Sequence, residues 1–199
     1  MNILHIDASP LNDYSVSRKL TAGIVKQLQS KQANATVTYR DVVVNAPAHL
    51  STAVLMASQS DPSSWSPELH ADIGTSEVIM AEFQNADVIV IGAPMYNFSI
   101  PSQLKAWIDR VAVAGKTFKY GPNGPEGLAK GKKVIIASSR GGQYGDDHAM
   151  DFQEGYLRTV LGFLGITDVE IVRAEGVNMG EEAKAAAFAA AEAKIATLG

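Results

Sequence analysis

Asp87-Val88-Ile89-Val90-Ile91-Gly92-Ala93-Pro94-Met95-Tyr96-Asn97-Phe98-Ser99-Ile100-Pro101 is the stretch on which the fold turns. Residues 87–91 form the most apolar run of strand length in the chain. A strand covered on both faces reads as a continuous apolar run, whereas a half-exposed strand alternates. The run therefore predicts the central strand of a parallel sheet. Working outward, residues 2–7, 36–44, 133–138 and 168–174 read as four more short strands, β-branched or apolar and bounded by turn residues. Between them lie helical patterns at 15–30, 68–85, 101–114, 150–164 and 181–198. Residues 47–67 are rich in Ser, Ala and Pro, with a short helix expected near 51–58. Residues 116–131 carry four glycines and two prolines and read as a loop or hairpin insertion.

Five strands alternating with helices predict an α/β doubly wound parallel sheet with helices on both faces. Such a sheet suits the order 2-1-3-4-5, with a ligand site beyond the carboxyl ends of the strands at the switch between strands 1 and 3. The chain has 199 residues and a formal charge of −4, and residues 1–199 are expected to form one domain. No clustered basic face appears, which argues against nucleic acid as a partner. There are no cysteines, so disulfides, thiolate metal sites and thiol nucleophiles are excluded. A redox role would need a borrowed cofactor. The apolar run is far shorter than the ~20 residues of a membrane helix. Residues 1–8 lack a basic leader, so no membrane association and a cytoplasmic location are expected.

Three loops follow strands 1, 3 and 4. The first places Ser9, Ser15 and Ser17 at a strand exit and a helix entrance. Hydroxyls beside the unpaired N–H groups of a first helical turn make an anion site. The plainer reading of Ser15 is an N-cap. The second loop, with Pro94, Met95, Tyr96, Asn97 and Phe98, puts flat apolar side chains where a turn is normally polar, which suits a planar heteroaromatic ring. Met95 and Phe98 could instead fold onto the core. The third, with Ser139, Arg140, Gly141 and Gly142, offers unshielded backbone donors, or else a flexible turn. Histidines 5, 49, 70 and 148 lie on separate segments with no ligand spacing, and no metal site is expected. A GxSxG elbow is missing as well, which disfavours a serine hydrolase.

At these loops the sequence resembles the FMN-dependent azoreductases, also called FMN-dependent NADH:quinone oxidoreductases, which have a flavodoxin-like fold. The resemblance is carried by residues 93–98 (APMYNF), 123–128 (NGPEGL), 138–142 (SSRGG), 163–166 and 174–176. It implies that Ser9, Ser15, Val16 and Ser17 hold the FMN phosphate. Pro94, Met95, Tyr96, Asn97 and Phe98 would border the isoalloxazine, with Ser139, Arg140, Gly141 and Gly142 on its other edge. It implies NADH or NADPH as co-substrate, quinones and azo compounds as acceptors, a ping-pong cycle through flavin N5, and a homodimer with two interfacial sites. No side chain is expected to act as the catalytic acid or base. The N–H groups of Asn97, Gly141 and Gly142 are expected to tune the flavin, and replacing Asn97 with proline to slow flavin reduction more than replacing it with alanine. Phe98, Phe118, Tyr120 and Tyr144 are the expected acceptor pocket, Phe118 and Tyr120 serving the partner's site. Gln143-Tyr144 stand where relatives often carry a histidine. Two other readings of the same fold remain: a noncatalytic electron carrier and a phosphoacceptor domain built on Asp7.

Overall fold

The computed structural model describes residues 1–146 and 148–199. Among the described residues, seven strands and six α-helices follow one another along the chain. Five strands form one parallel sheet: β1 (Asn2–Asp7), β2 (Thr36–Asp41), β3 (Val88–Pro94), β6 (Lys133–Ser139) and β7 (Asp168–Ala174). Their order is β2-β1-β3-β6-β7, so the apolar run is indeed central. Counting only these five, the order is 2-1-3-4-5.

Alternation along β1, β3 and β6 sends side chains to opposite faces of the sheet. Leu4, Ile6, Ile89, Ile91, Val134 and Ile136 pack under α3 (Pro67–Asn85), α4 (Ser102–Val111) and α5 (Glu154–Leu164). Ile3, Val88, Val90, Ile135 and Ala137 pack under α1 (Val16–Lys31) and α6 (Glu181–Ala196). Two separate cores thus hold the central strands rigid, and their carboxyl ends form one fixed rim.

Two element boundaries moved for local polar reasons. The second strand ends at Asp41 and not at residue 44, because the Asp41 carboxylate accepts the N–H groups of Val43 and Val44 at 2.9 and 3.1 Å and turns the chain. Helix α5 begins at Glu154 and not at residue 150. There the Asp151 carboxylate accepts Gln153 N–H and Glu154 N–H at 2.9 and 3.1 Å. The central strand runs three residues further than expected and takes in Pro94, whose partner is Ser139. In the Ser/Ala/Pro-rich excursion, α2 (Thr52–Met56) is the short helix expected near residues 51–58.

The insertion is a hairpin of β4 (Phe118–Gly121) and β5 (Gly124–Gly127). It docks where Gly127 meets Gly165, the left-handed C-cap of α5. A Cβ on Gly127 would lie 2.1 Å from Gly165 N, so two bare backbones are required at that contact.

Candidate functional site

Three loops leave the rim side by side. Among the described residues, every non-glycine with positive φ sits in two of them: Asn12 at 46°, Asn97 at 49° and Phe98 at 69°. Backbone held in the left-handed region costs energy and concentrates at functional sites.

The first loop gathers hydroxyls. Ser9, Ser15 and Ser17 are buried. Ser15 Oγ accepts Arg18 N–H at 3.2 Å as the N-cap of α1, and lies 3.1 Å from Ser17 Oγ. Ser15 is thus the N-cap, and its hydroxyl stands among the other two buried serines. Val16 N–H and Ser17 N–H, in the first turn of α1, have no acceptor among the described residues. Asp7 is committed elsewhere: it accepts Thr21 Oγ1 at 2.8 Å and Tyr39 Oη at 3.1 Å. That is unlike a free phosphoacceptor carboxylate. Burial, followed by the adjacent Asp7 charge, pushes the Tyr39 phenol up to about 12.

The second loop is a tight turn. Tyr96 N–H donates to Ser99 O at 2.9 Å, and Ser99 N–H returns to Tyr96 O at 3.1 Å. With Asn97 and Phe98 both at positive φ, this is a type I′ geometry. Met95 N–H donates to Ser139 O at 2.8 Å, tying this loop to the third. Asn97 N–H has no acceptor among the described residues. Phe98 is 44% exposed and does not fold onto the core. The proline test of Asn97 fails on this geometry. Proline fixes φ near −65°, so it would break the turn as well as delete the N–H.

The third loop turns its carbonyls one way. Arg140 O accepts Val177 N–H, Gly141 O accepts Asn178 N–H and Gly142 O accepts Gly176 N–H, at 3.1, 3.1 and 2.8 Å. The N–H groups of Gly141 and Gly142 have no acceptor among the described residues. Tyr144 lies close to Gly142, its ring under the Arg140 guanidinium at 5.7 Å.

Arg140 lines the cleft as expected, but its guanidinium is spent inside the protein. It donates to Gln153, Glu175 and Asp151 at 3.1, 2.9 and 2.6 Å and pairs with Glu154 at 2.6 Å, with no side-chain exposure. Burial opposes ionisation of Asp151, but the N–H groups of Glu154 and Gln153 and the Arg140 charge outweigh it and hold the carboxyl below its usual range.

A single cleft of about 150 Å³ runs from Ser9, Ser15 and Val16 past Pro94, Met95 and Tyr96 to Ser139, Arg140 and Gly141. Its lining also includes Val177, Asn178 and Lys184, which sequence reasoning missed. They lie after the last strand and on α6, where no local pattern marks them. Phe118 and Tyr120 are not at this rim. Phe118 packs against Phe163 with ring centroids 4.5 Å apart, and Tyr120 is 74% exposed.

The residues present suit a phosphorylated flavin. Buried hydroxyls and free helix N–H groups stand at one end, and unpaired backbone donors beside exposed aromatic side chains at the other. The comparisons agree. Residues 1–198 match a protein family described as having a flavodoxin-like fold. An FMN-dependent NADH:quinone oxidoreductase from Sinorhizobium fredii is 59% identical over 198 residues, 98% of this chain and 96% of the relative. The chain belongs to the FMN-dependent NADH:quinone oxidoreductases. Another member of that family, from Laribacter hongkongensis, is 55% identical over the full length of both chains. Among solved structures, an FMN-dependent NADH-azoreductase from Bacillus anthracis in complex with FMN superposes with a TM-score of 0.89 at 27% identity. It covers 98% of this chain and 95% of its own.

Proposed function

We propose that this FMN-dependent NADH:quinone oxidoreductase binds FMN along the rim cleft and uses NADH to reduce quinones and azo compounds. The observation that carries the reading is the continuity of one cleft from the serine cluster to the Gly141 backbone. Ser9, Ser15, Ser17 and the N–H groups of Val16 and Ser17 would hold the phosphate. Pro94, Met95, Tyr96, Asn97 and Phe98 would border the ring on one side, and Ser139, Arg140, Gly141 and Gly142 on the other, with Arg140 contributing through its backbone. FMN, when bound, supplies the two-electron chemistry between NADH and acceptor.

The chain's own task is to bind, orient and polarise. Preorganised N–H donors stabilise developing negative charge because they need not reorganise. The unpaired donors of Gly141 and Gly142 suit that role at the pyrimidine edge, and Asn97 N–H suits N5. This reading assigns no side chain the role of catalytic acid or base. A spectrum of the purified protein with flavin bands near the visible blue, bleached by anaerobic NADH and restored by benzoquinone without a partner protein, is the expected result. A protein that neither retains nor takes up FMN would overturn the reading, and one bleached by NADH yet inert to quinones would be an electron carrier.

We propose a homodimer as well, on the exposure of two large aromatic side chains, Tyr120 at 74% and Phe98 at 44%. Exposed Tyr120, with Phe118 behind it, would wall the partner's acceptor site, alongside Phe98 and Tyr144. Phe118→Ala/Tyr120→Ala is expected to alter kcat/KM for bulky azo acceptors more than for benzoquinone. An unchanged acceptor profile would count against the second copy's role. Residues 1–199 acting as one domain in the cytoplasm, without nucleic-acid or membrane partners, completes the proposal. Among the described residues no helix is long and apolar enough to cross a membrane.

A further inference from the structure

Arg18 stands in the first turn of α1, where the helix dipole disfavours a positive charge. Its position has another cause. Nε and Nη2 both donate to the carbonyl oxygen of Ser9, at 3.0 and 2.8 Å. Nη1 donates to Asp41 Oδ2 at 2.6 Å and to Tyr39 Oη at 3.1 Å, and lies 3.7 Å from Asp7 Oδ2. One guanidinium therefore links the exits of β1 and β2 to the start of α1, and its side chain is only 14% exposed.

The consequence falls on Ser9. A carbonyl that accepts both arms of a guanidinium fork is fixed in direction. Left free at this strand exit, it could swing its negative end toward the anion site. Held by Arg18, it leaves Ser9 Oγ on the cleft side, where it accepts Leu11 N–H at 3.3 Å and lies 3.4 Å from Tyr96 Oη. That last contact also joins the hydroxyl loop to the ring loop.

We infer that Arg18 is a positioning residue for the phosphate end of the cleft: it holds the Ser9 carbonyl away, so that the Ser9 hydroxyl and the α1 N–H groups face the phosphate. It acts without touching the phosphate, since four of its donor contacts are already made within the protein. The inference rests on the reading of this end as the FMN phosphate site. Lysine cannot replace it fully, because a single ammonium cannot grip the carbonyl with a fork and reach Asp41 together.

The test compares FMN with riboflavin, which lacks the phosphate. Dissociation constants for both are measured by flavin fluorescence on the full chain carrying Arg18→Met, Arg18→Lys or the pair Ser15→Ala/Ser17→Ala. Arg18→Met is expected to weaken FMN about tenfold, ~1.4 kcal/mol, while riboflavin stays within about twofold, and Arg18→Lys to fall between. Equal losses for both flavins would mean that Arg18 only braces β2 against α1, and would overturn the inference. So would an unchanged FMN preference. If Arg18→Met does not fold, the same ratio in Arg18→Lys decides: a wild-type preference there overturns the inference. The serine pair separates the two failures. If it loses the FMN preference while the Arg18 variants keep theirs, only the role of Arg18 falls. If it too keeps the preference, the phosphate-site reading falls.

Discussion

The two ends of the cleft are each organised by an arginine, half-buried Arg18 at one and buried Arg140 at the other, in opposite settings. At the hydroxyl end Arg18 grips a carbonyl and balances Asp41, with Asp7 further off. At the ring end Arg140 is surrounded by three carboxylates, Asp151, Glu154 and Glu175, from segments distant in sequence. The first arrangement orients a single backbone group. The second ties the third loop to the start of α5 and to Glu175 beyond β7, beside the N–H groups of Gly141 and Gly142. An arginine in a binding site thus need not touch the ligand. What it fixes is which backbone groups face the cleft, and with which end.

The sharpest way to break this comparison is to remove the ring-end arginine. Arg140→Met leaves three carboxylates without their shared cation. Breaking such a buried pair commonly costs about 3–5 kcal/mol, and urea unfolding should show a loss of unfolding free energy of that order. A loss under about 1 kcal/mol would mean that the carboxylates find water or other partners.

Acid sharpens the comparison next, because each end has a carboxyl held below its usual range. Burial opposes ionisation of Asp41, but the Arg18 hydrogen bond and the N–H groups of Val43 and Val44 prevail. Asp151 behaves likewise. A carboxyl with a depressed folded pKa contributes stability above its unfolded value of about 3.9, and loses it as pH falls through the folded value. Thermal midpoints should therefore fall from pH 5 toward pH 3. Asp151→Asn should flatten that slope, and a slope as steep as wild type would remove Asp151 from the account.

The smallest effect separates strain from hydrogen bonding in the ring loop. Asn97 sits at φ 49°. Glycine adopts that region freely, whereas alanine pays roughly 1–2 kcal/mol there. Asn97→Gly should match wild type in stability and Asn97→Ala should fall below it by about 1 kcal/mol. Both keep the N–H, so stopped-flow flavin reduction should be alike in Asn97→Gly and wild type. A slow Asn97→Gly would assign the role to the side-chain amide.

The hydroxyl end was legible because it is local. Ser9, Ser15, Ser17 and the helix start lie within nine residues, and one turn of chain brings them together. The sheet was legible for a similar reason: residues 87–91 can be buried on both faces only at the centre of a covered parallel sheet. Strand and helix ends were less so, since Asp41 ends β2 and Asp151 sets the start of α5 with side-chain hydrogen bonds that no periodicity reveals.

Composition, periodicity and the loop motifs by themselves determined the class of sheet and, at its rim, the residue types that suit a phosphate and a flat ring. Only the tertiary structure decided that the Arg140 guanidinium points inward, that Val177, Asn178 and Lys184 close the cleft, and that Phe118 and Tyr120 stand away from it in one chain. The reason is physical. Local patterns fix how a segment folds, but the direction of a charged side chain is set by which distant carboxylates and carbonyls the packed sheet brings within about 3 Å of it.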